Sequence, residues 1–158
     1  MRILGIDPGL ALTGWGMVKK GNEVKLLDYG CIKTSKNDQN HLRLLKIFKD
    51  LRKILTKFKP EVVVLEKLFF NTNAKTAILI GEGRGVVKIC ASLAKIPLYE
   101  FTPLQVKDSV VGYGRASKKQ VQQMVKLLLK MDKIPKPDDA ADALAVALTY
   151  CSFNKELI

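Results

Sequence analysis

The chain has 158 residues, of which 27 are Lys or Arg and 15 are Asp or Glu, so its formal net charge is +12. Hydrophobic residues make up 47% of the chain, which is enough to bury a core, and we expect a single domain over residues 1–158. An excess of basic residues favours a polyanionic partner, with nucleic acid ahead of an anionic membrane surface. Solvated lysines on an ordinary protein surface are the alternative explanation of this charge.

The sequence also argues against several classes of protein. No run of about 18 uncharged apolar residues occurs, because Asp7, Lys88 and Asp142 interrupt the apolar stretches, and the first of these is too short for a signal peptide. The cysteines are odd in number and far apart, which suits neither a disulfide framework nor a zinc site; they are Cys31, Cys90 and Cys151. We therefore expect a cytoplasmic protein without a membrane segment. The single histidine, His41, is expected on the first turn of a helix.

Strand-like and turn-like segments alternate in the first third of the chain. Runs of β-forming residues predict three strands, at residues 2–6, 14–18 and 23–34. The segments between them contain Asp-Pro-Gly and Lys-Gly-Asn, which are typical of turns, so we expect an antiparallel meander with Trp15 in its core. A helix is predicted over residues 38–58, where apolar residues recur at steps of three and four between Lys and Arg residues.

The rest of the chain alternates strand and helix and then becomes helical. A continuous apolar run within residues 61–66 predicts a central strand buried on both faces. A helix over residues 75–94 and a fifth strand over residues 96–101 follow. Three more helices are expected at 103–111, 117–131 and 138–151, the second with Val121, Val125, Leu128 and Leu129 facing inward. This order predicts an α/β fold with one five-stranded mixed sheet, its fourth and fifth strands parallel, flanked by helices.

Acidic residues stand at the ends of two predicted strands and in the last helix. Asp7 closes the first strand and Glu66 the fourth, and active sites in such sheets favour the carboxyl ends of parallel strands. Asp139 and Asp142 are three residues apart and share one helical face. Each acid alone also suits a structural role, such as a turn hydrogen bond or a place beside the positive end of a helix dipole. Together, the four carboxylates can converge from three distant segments.

Converging carboxylates imply a cation. Four such groups repel one another, so they must either keep protons or bind a positive ion. A site of oxygen donors without Cys or His favours magnesium or manganese. If the substrate is a polyanion such as nucleic acid, a site of this kind suits two-metal hydrolysis of a phosphodiester. In that reaction one ion aligns the nucleophile and the other stabilises the leaving oxygen.

Four ordered motifs carry a resemblance to a known family. They are Leu-Gly-Ile-Asp-Pro-Gly at 4–9 with Thr-Gly at 13–14, Val-Leu-Glu-Lys-Leu-Phe at 64–69, Gln-Val-Lys at 105–107 with Val-Val-Gly at 110–112, and Asp-Ala-Ala-Asp-Ala-Leu-Ala at 139–145. In order and spacing, over essentially the whole chain, they closely resemble the RuvC family of Holliday-junction resolvases. The first motif alone is weak, whereas the four together are specific.

The resemblance implies a ribonuclease-H-like fold, a homodimer, a branch-migration helicase as partner, and paired cutting of four-way DNA junctions in recombination and repair. It implies magnesium as the cofactor, with manganese as a substitute and two ions per site. By the matching motifs, the catalytic and metal-binding residues are Asp7, Glu66, Asp139 and Asp142. Asp138 adds a carboxylate beside the last motif, and we favour Asp139 as the ligand because its spacing to Asp142 is helical.

The same resemblance points to residues that contact DNA. Lys107 and Lys118 match basic residues near the family's active site, and Phe69 matches a position credited with stacking on an unpaired base. Arg115 lies in the approach loop before the helix that Lys118 begins, and Lys119 lies in the first turn of that helix. A DNA phosphate at this helix start would offset the positive charges beside the helix dipole. Surface solvation is the alternative for each basic residue, and core packing for the aromatic one.

Two other functions remain open on the sequence alone. The opening Ile-Asp-Pro-Gly also resembles the phosphate loop of sugar kinases and actin-like ATPases, although 158 residues provide one lobe and such proteins need two. A non-catalytic DNA-binding protein with scattered acids is the second alternative. For the expected dimer, the glycine-containing helix around residues 81–94 is the candidate surface, because its glycines would let two helices approach closely.

Overall fold

A computed structural model describes residues 1–67 and 73–153, and within these ranges it contains five strands and five helices. The strands are β1 (Arg2–Asp7), β2 (Leu12–Lys20), β3 (Val24–Lys33), β4 (Val62–Glu66) and β5 (Leu98–Phe101). The helices are α1 (Asn40–Phe58), α2 (Ala74–Leu93), α3 (Pro103–Val111), α4 (Lys118–Leu128) and α5 (Asp138–Phe153). Each predicted element is present, with ends that differ by a few residues.

The strands form one mixed sheet in the order β3-β2-β1-β4-β5. β2 pairs antiparallel with both β1 and β3, which confirms the meander. β4 pairs parallel with β1 on one side and with β5 on the other. The predicted fold class is therefore confirmed, and the carboxyl ends of β1, β4 and β5 lie at the same end of the sheet.

Alternation along the strands assigns side chains to two helical layers, one on each face of the sheet. In β1, Leu4 and Ile6 pack with residues of α1 and α2, whereas Ile3 packs with residues of α3, α4 and α5. β4 alternates in the same way, with Val62 and Val64 on the α5 side. The sheet therefore separates the core into two halves.

Glycines in the sheet allow α5 to lie directly on β1 and β2. A Cβ atom on Gly14 would lie 2.0 Å from the carbonyl oxygen of Asp139, and one on Gly5 would lie 2.0 Å from that of Ala143. No real Cβ atom comes so close to another atom, so this contact requires glycine at both positions. The alanines of α5 reduce the separation from the other side, and the start of α5 is thereby fixed above the end of β1.

The expectations about single core residues had mixed outcomes. Trp15 is partly buried and packs against Phe58, with ring centroids 5.7 Å apart, which confirms its place in the core. The prediction for Leu128 was wrong: it is 44% exposed, because the buried face of α4 follows Val121 and Val125 and the helix ends at Leu128. Within the described ranges, no helix is both long and apolar enough to cross a membrane.

Candidate active site

The two acids at strand ends lie beside each other on the face of the sheet that α5 covers. Asp7 is the last residue of β1 and Glu66 is the last residue of β4. These strands are parallel neighbours, and Ile6 lies opposite Leu65. Because side chains alternate along a strand, both acids fall on the opposite face from Ile6 and Leu65, which is the α5 side.

The first turns of α5 bring two further acids to the same place. Asp139 begins this contact, since its carbonyl oxygen lies against Gly14, the residue paired with Asp7 across β1 and β2. Asp142 follows one turn later. The charges of Asp142, Glu66 and Asp139 all act on the Asp7 carboxyl. The structure thus brings together Asp7, Glu66, Asp139 and Asp142, which we call the carboxylate cluster.

Burial and mutual repulsion change the proton affinity of the carboxylate cluster. The pKa of Asp7 is raised from 3.8 to about 7, first by burial and then by the negative charges of the other three members. Burial is also the main cause of the raised pKa values of Glu66 and Asp142. In both cases the positive charge of Lys118 opposes the effect of burial. Burial and repulsion both disfavour the charged form of these carboxylates, and a bound cation relieves this as a bound proton does.

Lys118 is a cation that already contacts the carboxylate cluster. It begins α4, whose N-cap Ser117 forms a capping box with Gln120. Its Nζ lies 2.9 Å from an oxygen of Asp142 and 3.9 Å from one of Asp138. Burial alone would lower the Lys118 pKa, but the hydrogen bond with Asp142 and the nearby carboxylate charges raise it. In this structure, a carboxylate of the protein thus offsets the cation beside the helix dipole.

Asp138 lies at the edge of the carboxylate cluster, 3.9 Å from Nζ of Lys118. Its side chain is 45% exposed, and its carboxylate accepts a hydrogen bond from Nζ of Lys136 at 2.8 Å, which lowers its pKa. The charge of Asp139, by contrast, raises the pKa of the Asp7 carboxyl. This difference supports the preference for Asp139 over Asp138 as a member of the site.

A cavity of about 250 Å³ opens beside the carboxylate cluster. Glu66 and Asp142 line one part of it, and Lys107 of α3 and Lys118 of α4 line another. The positive charge of Lys107 lowers the pKa of Glu66, against the larger effect of burial. Carboxylates and ammonium groups therefore share one open space, which suits a ligand that carries both a phosphate and a metal ion.

The other predicted DNA contacts have different positions. Arg115 is exposed in the loop between α3 and α4. Lys119 is exposed and lines a separate groove that none of the cluster carboxylates reaches. Phe69 lies outside the described residues. Of the four predicted basic contacts, the structure thus places Lys107 and Lys118 at the cavity beside the carboxylate cluster.

The donor atoms fit a hard divalent cation. The carboxylate cluster offers only oxygen ligands, which magnesium and manganese prefer, and a cation would relieve the repulsion that raises the pKa of Asp7. As the side chains stand, no group of three or more His, Cys, Asp or Glu within residues 1–67 and 73–153 could hold a metal ion. The fit therefore rests on donor chemistry and charge rather than on a preset coordination geometry.

Sequence reasoning missed Arg84 and its partner Glu100. Arg84 of α2 is 8% exposed, and its guanidinium donates to the backbone carbonyl of Glu66 and to the carboxylate of Glu100. A signal was present in the sequence, because Arg84, Val87 and Ala91 recur at the spacing of one helical face. That face is buried, so an arginine on it needed a partner inside the fold.

Comparisons with known proteins point in one direction. The family model described as "Crossover junction endodeoxyribonuclease RuvC" matches residues 3–150 of the chain. A protein of that name from Caldicellulosiruptor saccharolyticus is 53% identical over 152 residues, which cover 95% of this chain and 92% of the relative. Another, from Caldanaerobacter subterraneus, is 52% identical over 158 residues, which cover 99% of this chain and 96% of the relative.

Solved structures give the same picture. Thermus thermophilus RuvC in complex with Holliday junction substrate superposes with a TM-score of 0.91 at 32% identity, covering 99% of this chain and 96% of that one. A yeast mitochondrial Holliday junction resolvase has the same fold, with a TM-score of 0.73 at 16% identity, over 98% of this chain and 79% of that one. The comparisons of sequence and of structure thus both match this chain to Holliday junction resolvases.

Proposed function

This chain belongs to the RuvC family of crossover junction endodeoxyribonucleases, and we propose that the carboxylate cluster is its catalytic and metal-binding centre. The protein cuts four-way, or Holliday, DNA junctions and acts in homologous recombination and DNA repair. Like the family as a whole, it depends on a divalent metal ion. One observation carries the assignment of the site: carboxylates from β1, β4 and α5 converge at one end of the sheet, where burial first and their mutual repulsion second raise the pKa of Asp7 to about 7.

We propose magnesium as the ion, with manganese as a substitute and two ions in each site. The residues that would hold them are Asp7, Glu66, Asp139 and Asp142. When bound, the ions supply the activated nucleophile for hydrolysis and stabilise charge on the phosphodiester. The chain fixes where the ligands stand, because two of them close parallel strands and a third sits on the glycine-lined contact of α5.

Lys107 and Lys118 are the proposed ligands of the DNA phosphate. Both face the cavity beside Glu66 and Asp142, and an ammonium group is a good donor to phosphate oxygens. Nζ of Lys118 lies 2.9 Å from Asp142. When a phosphate arrives, Lys118 can exchange one anion for another while α4 keeps its capped start. The Asp142 carboxylate then becomes available to a cation.

Three further residues are proposed to contact DNA outside this centre. Arg115 and Lys119 are exposed on the approach to α4, where they add positive charge for the phosphates of a junction arm. Phe69, which follows β4 in the sequence, is proposed to stack on a base at the junction centre. Stacking of this kind contributes about 1–3 kcal/mol per base.

We propose that the chain acts as a homodimer with α2 at the two-fold axis. α2 presents large apolar side chains to solvent, with Ile78 at 64%, Ile89 at 56% and Leu93 at 59% exposure. Gly81 and Gly85 have open space around them, since a Cβ on either would meet nothing within 4 Å. Such a face suits the close approach of a second helix. A two-fold dimer would place one carboxylate cluster on each of two equivalent strands of the junction.

A complex with a branch-migration helicase is part of the same proposal. It follows from the family to which the chain belongs, and we assign no surface to it.

The test of the proposed function uses a synthetic four-way junction that cannot branch-migrate, with a linear duplex of matched sequence beside it. We expect symmetrical nicks in two strands of like polarity, in the junction alone, and with magnesium or manganese present. Chelation of the metal should stop cleavage. Cutting that continues in the chelator, or equal cutting of the linear duplex, would contradict the proposal.

The matched variant is Asp7→Asn, which keeps the shape of the side chain and removes its charge. It should bind the junction as tightly as the parent chain or more tightly, because a negative charge near the DNA is lost. It should not cut. A non-catalytic DNA-binding protein would show no cleavage in either chain.

A further inference from the structure

Arg84 contacts the end of β4 but lies outside the carboxylate cluster. It is 8% exposed, the lowest exposure among the charged residues that the structure describes. It projects from α2 into the fold, where its guanidinium donates to two acceptors. One acceptor is the backbone carbonyl of Glu66, and the other is the carboxylate of Glu100 on β5.

The peptide group after Glu66 is held at both of its polar ends. Its carbonyl accepts from Arg84, and its N–H, which belongs to Lys67, donates to the carbonyl of Phe101 at 2.6 Å. The Phe101 bond comes from the pairing of β5 with β4, in which Glu66 lies opposite Phe101. These two hydrogen bonds restrict rotation of this peptide plane, and thereby the direction in which the Glu66 side chain leaves the strand.

Glu100 sets the orientation of Arg84. The carboxylate of Glu100 accepts from Arg84 and also lies 3.2 Å from Nζ of Lys88. Arginine carries its donors in a rigid planar fork, so contact with Glu100 on one nitrogen aims the other nitrogen at the Glu66 carbonyl. Lysine carries its three donors on one nitrogen atom, so it lacks the planar fork with which Arg84 spans these two acceptors. Lys88, by contrast, is exposed and has no bond to Glu66 among its described contacts.

We propose that Arg84, oriented by Glu100, is a positioning residue for the cleavage reaction, which holds the end of β4 so that Glu66 points at the metal ions. This inference rests on the proposed role of Glu66 as a ligand. Groups that orient a metal ligand from outside the coordination shell typically affect metal affinity or activity by about 10- to 100-fold.

The test compares Arg84→Lys and Arg84→Gln with the control Lys88→Gln in the full chain. Junction affinity is measured with calcium in place of magnesium, and single-turnover cleavage is followed across a magnesium titration. Both Arg84 variants should bind the junction within about twofold of the parent. They should need more magnesium for half-maximal cleavage and cut about 10- to 100-fold more slowly. Lys88→Gln should match the parent in all three measurements.

A purely structural role for Arg84 would lower the melting temperature without moving the magnesium requirement. Glu100→Gln provides a second route to the same answer, because it leaves Arg84 in place but weakens its orientation. It should shift the magnesium requirement in the same direction as Arg84→Lys. The inference is overturned if the folded Arg84→Lys variant shows the parent's magnesium dependence.

Glu66→Gln separates this inference from the proposed function. If Glu66→Gln still cuts, the assignment of the site fails, whereas an inactive Glu66→Gln beside an Arg84→Lys variant with the parent's magnesium dependence removes only the positioning role.

Discussion

Asp7 stands at the point where the electrostatics of the site are most unfavourable. The pKa of its carboxyl is about 7 in the folded chain, against an ordinary value of 3.8, because of burial first and the neighbouring carboxylates second. An acid that holds its proton more tightly in the folded chain destabilises the fold wherever the unfolded chain has already lost that proton. For Asp7 this penalty begins near pH 3.8 and is complete above about pH 7.

Replacing Asp7 by Asn should therefore stabilise the metal-free protein in a pH-dependent way. At pH 7.5 in a chelating buffer, we expect Asp7→Asn to raise the free energy of unfolding by on the order of 2–4 kcal/mol, since one pKa unit corresponds to about 1.4 kcal/mol. The gain should shrink toward zero as the pH falls to about 4. Thermal melts of both chains at several pH values provide the measurement. A variant no more stable than the parent at pH 7.5 would show that burial and the neighbouring carboxylates do not destabilise the charged form of Asp7 in the fold.

At the residue scale, sequence could predict which carboxylates converge but not how they are held. Asp7 and Glu66 were found because a charge ends an apolar strand, and Asp139 was preferred to Asp138 from helical spacing alone. Arg84 and Glu100 were missed because their contact depends on how α2 packs against the ends of the two strands that it connects. A pattern read along one element does not contain that packing.

The contact of α5 with the sheet is the element-scale feature that positions the site. Gly14 lies under the carbonyl of Asp139, and Gly5 lies under that of Ala143. Any side chain at these positions would lift α5 away from the sheet. The acids of α5 would then move away from the ends of β1 and β4.

Gly14→Ala is expected to damage both stability and activity. The added Cβ would lie 2.0 Å from the carbonyl oxygen of Asp139, so α5 must shift, at a cost of roughly 3 kcal/mol. Cleavage should fall by more than the loss of folded protein explains, because Asp139 moves with the helix. Gly21→Ala is the matched control: its Cβ would meet only the carbonyl oxygen of Glu23 at 3.7 Å, and stability should change by less than about 0.5 kcal/mol. Equal melting temperatures for the two variants would contradict this account of α5.

At the element scale, the sequence predicted the strands and helices and their directions. Apolar residues recur with a period of two in strands and of 3.6 in helices, and this pattern indicates which face of each element is buried. Turn residues indicate the connections between elements. The meander and the parallel pair of strands could therefore be inferred. The alanines of α5 allow its close approach to the sheet. The glycines of β1 and β2 complete this contact. Their role depends on the register of the two strands and on the position of α5, which a pattern along one strand does not show.

The whole molecule separates charge by function. The carboxylate cluster contains four of the 15 acidic residues, so the rest of the chain has 11 acidic and 27 basic residues. The net charge of +12 is thus an average over a strongly basic exterior and a small acidic centre. The exterior favours the approach of DNA, while the centre favours the cation that the reaction needs.

Self-association through α2 is the prediction at this scale. Ile89 is 56% exposed on α2, and Ile89→Asp should weaken dimerisation by about 30-fold or more, as expected for loss of roughly 2 kcal/mol at the centre of an interface. The circular dichroism spectrum should not change. Leu127→Asp is the control, because Leu127 is equally apolar and 64% exposed but lies on α4. Analytical ultracentrifugation across a concentration series measures both. A dimer that persists in Ile89→Asp, or is lost in Leu127→Asp, would place the interface elsewhere.

The central claim is that the carboxylate cluster, and not acidic charge in general, cuts the junction. Asp138 and Asp139 are adjacent and carry the same group, but only Asp139 is a member of the carboxylate cluster, so Asp138→Asn and Asp139→Asn form a matched pair. The most direct measurement is junction binding and single-turnover cleavage for both variants in magnesium. Asp139→Asn should bind at least as tightly as the parent and cut at least about 1,000-fold more slowly, equivalent to roughly 4 kcal/mol of lost transition-state stabilisation. Asp138→Asn should cut within about fivefold of the parent; the reverse result, or normal cleavage by Asp139→Asn, would contradict the account.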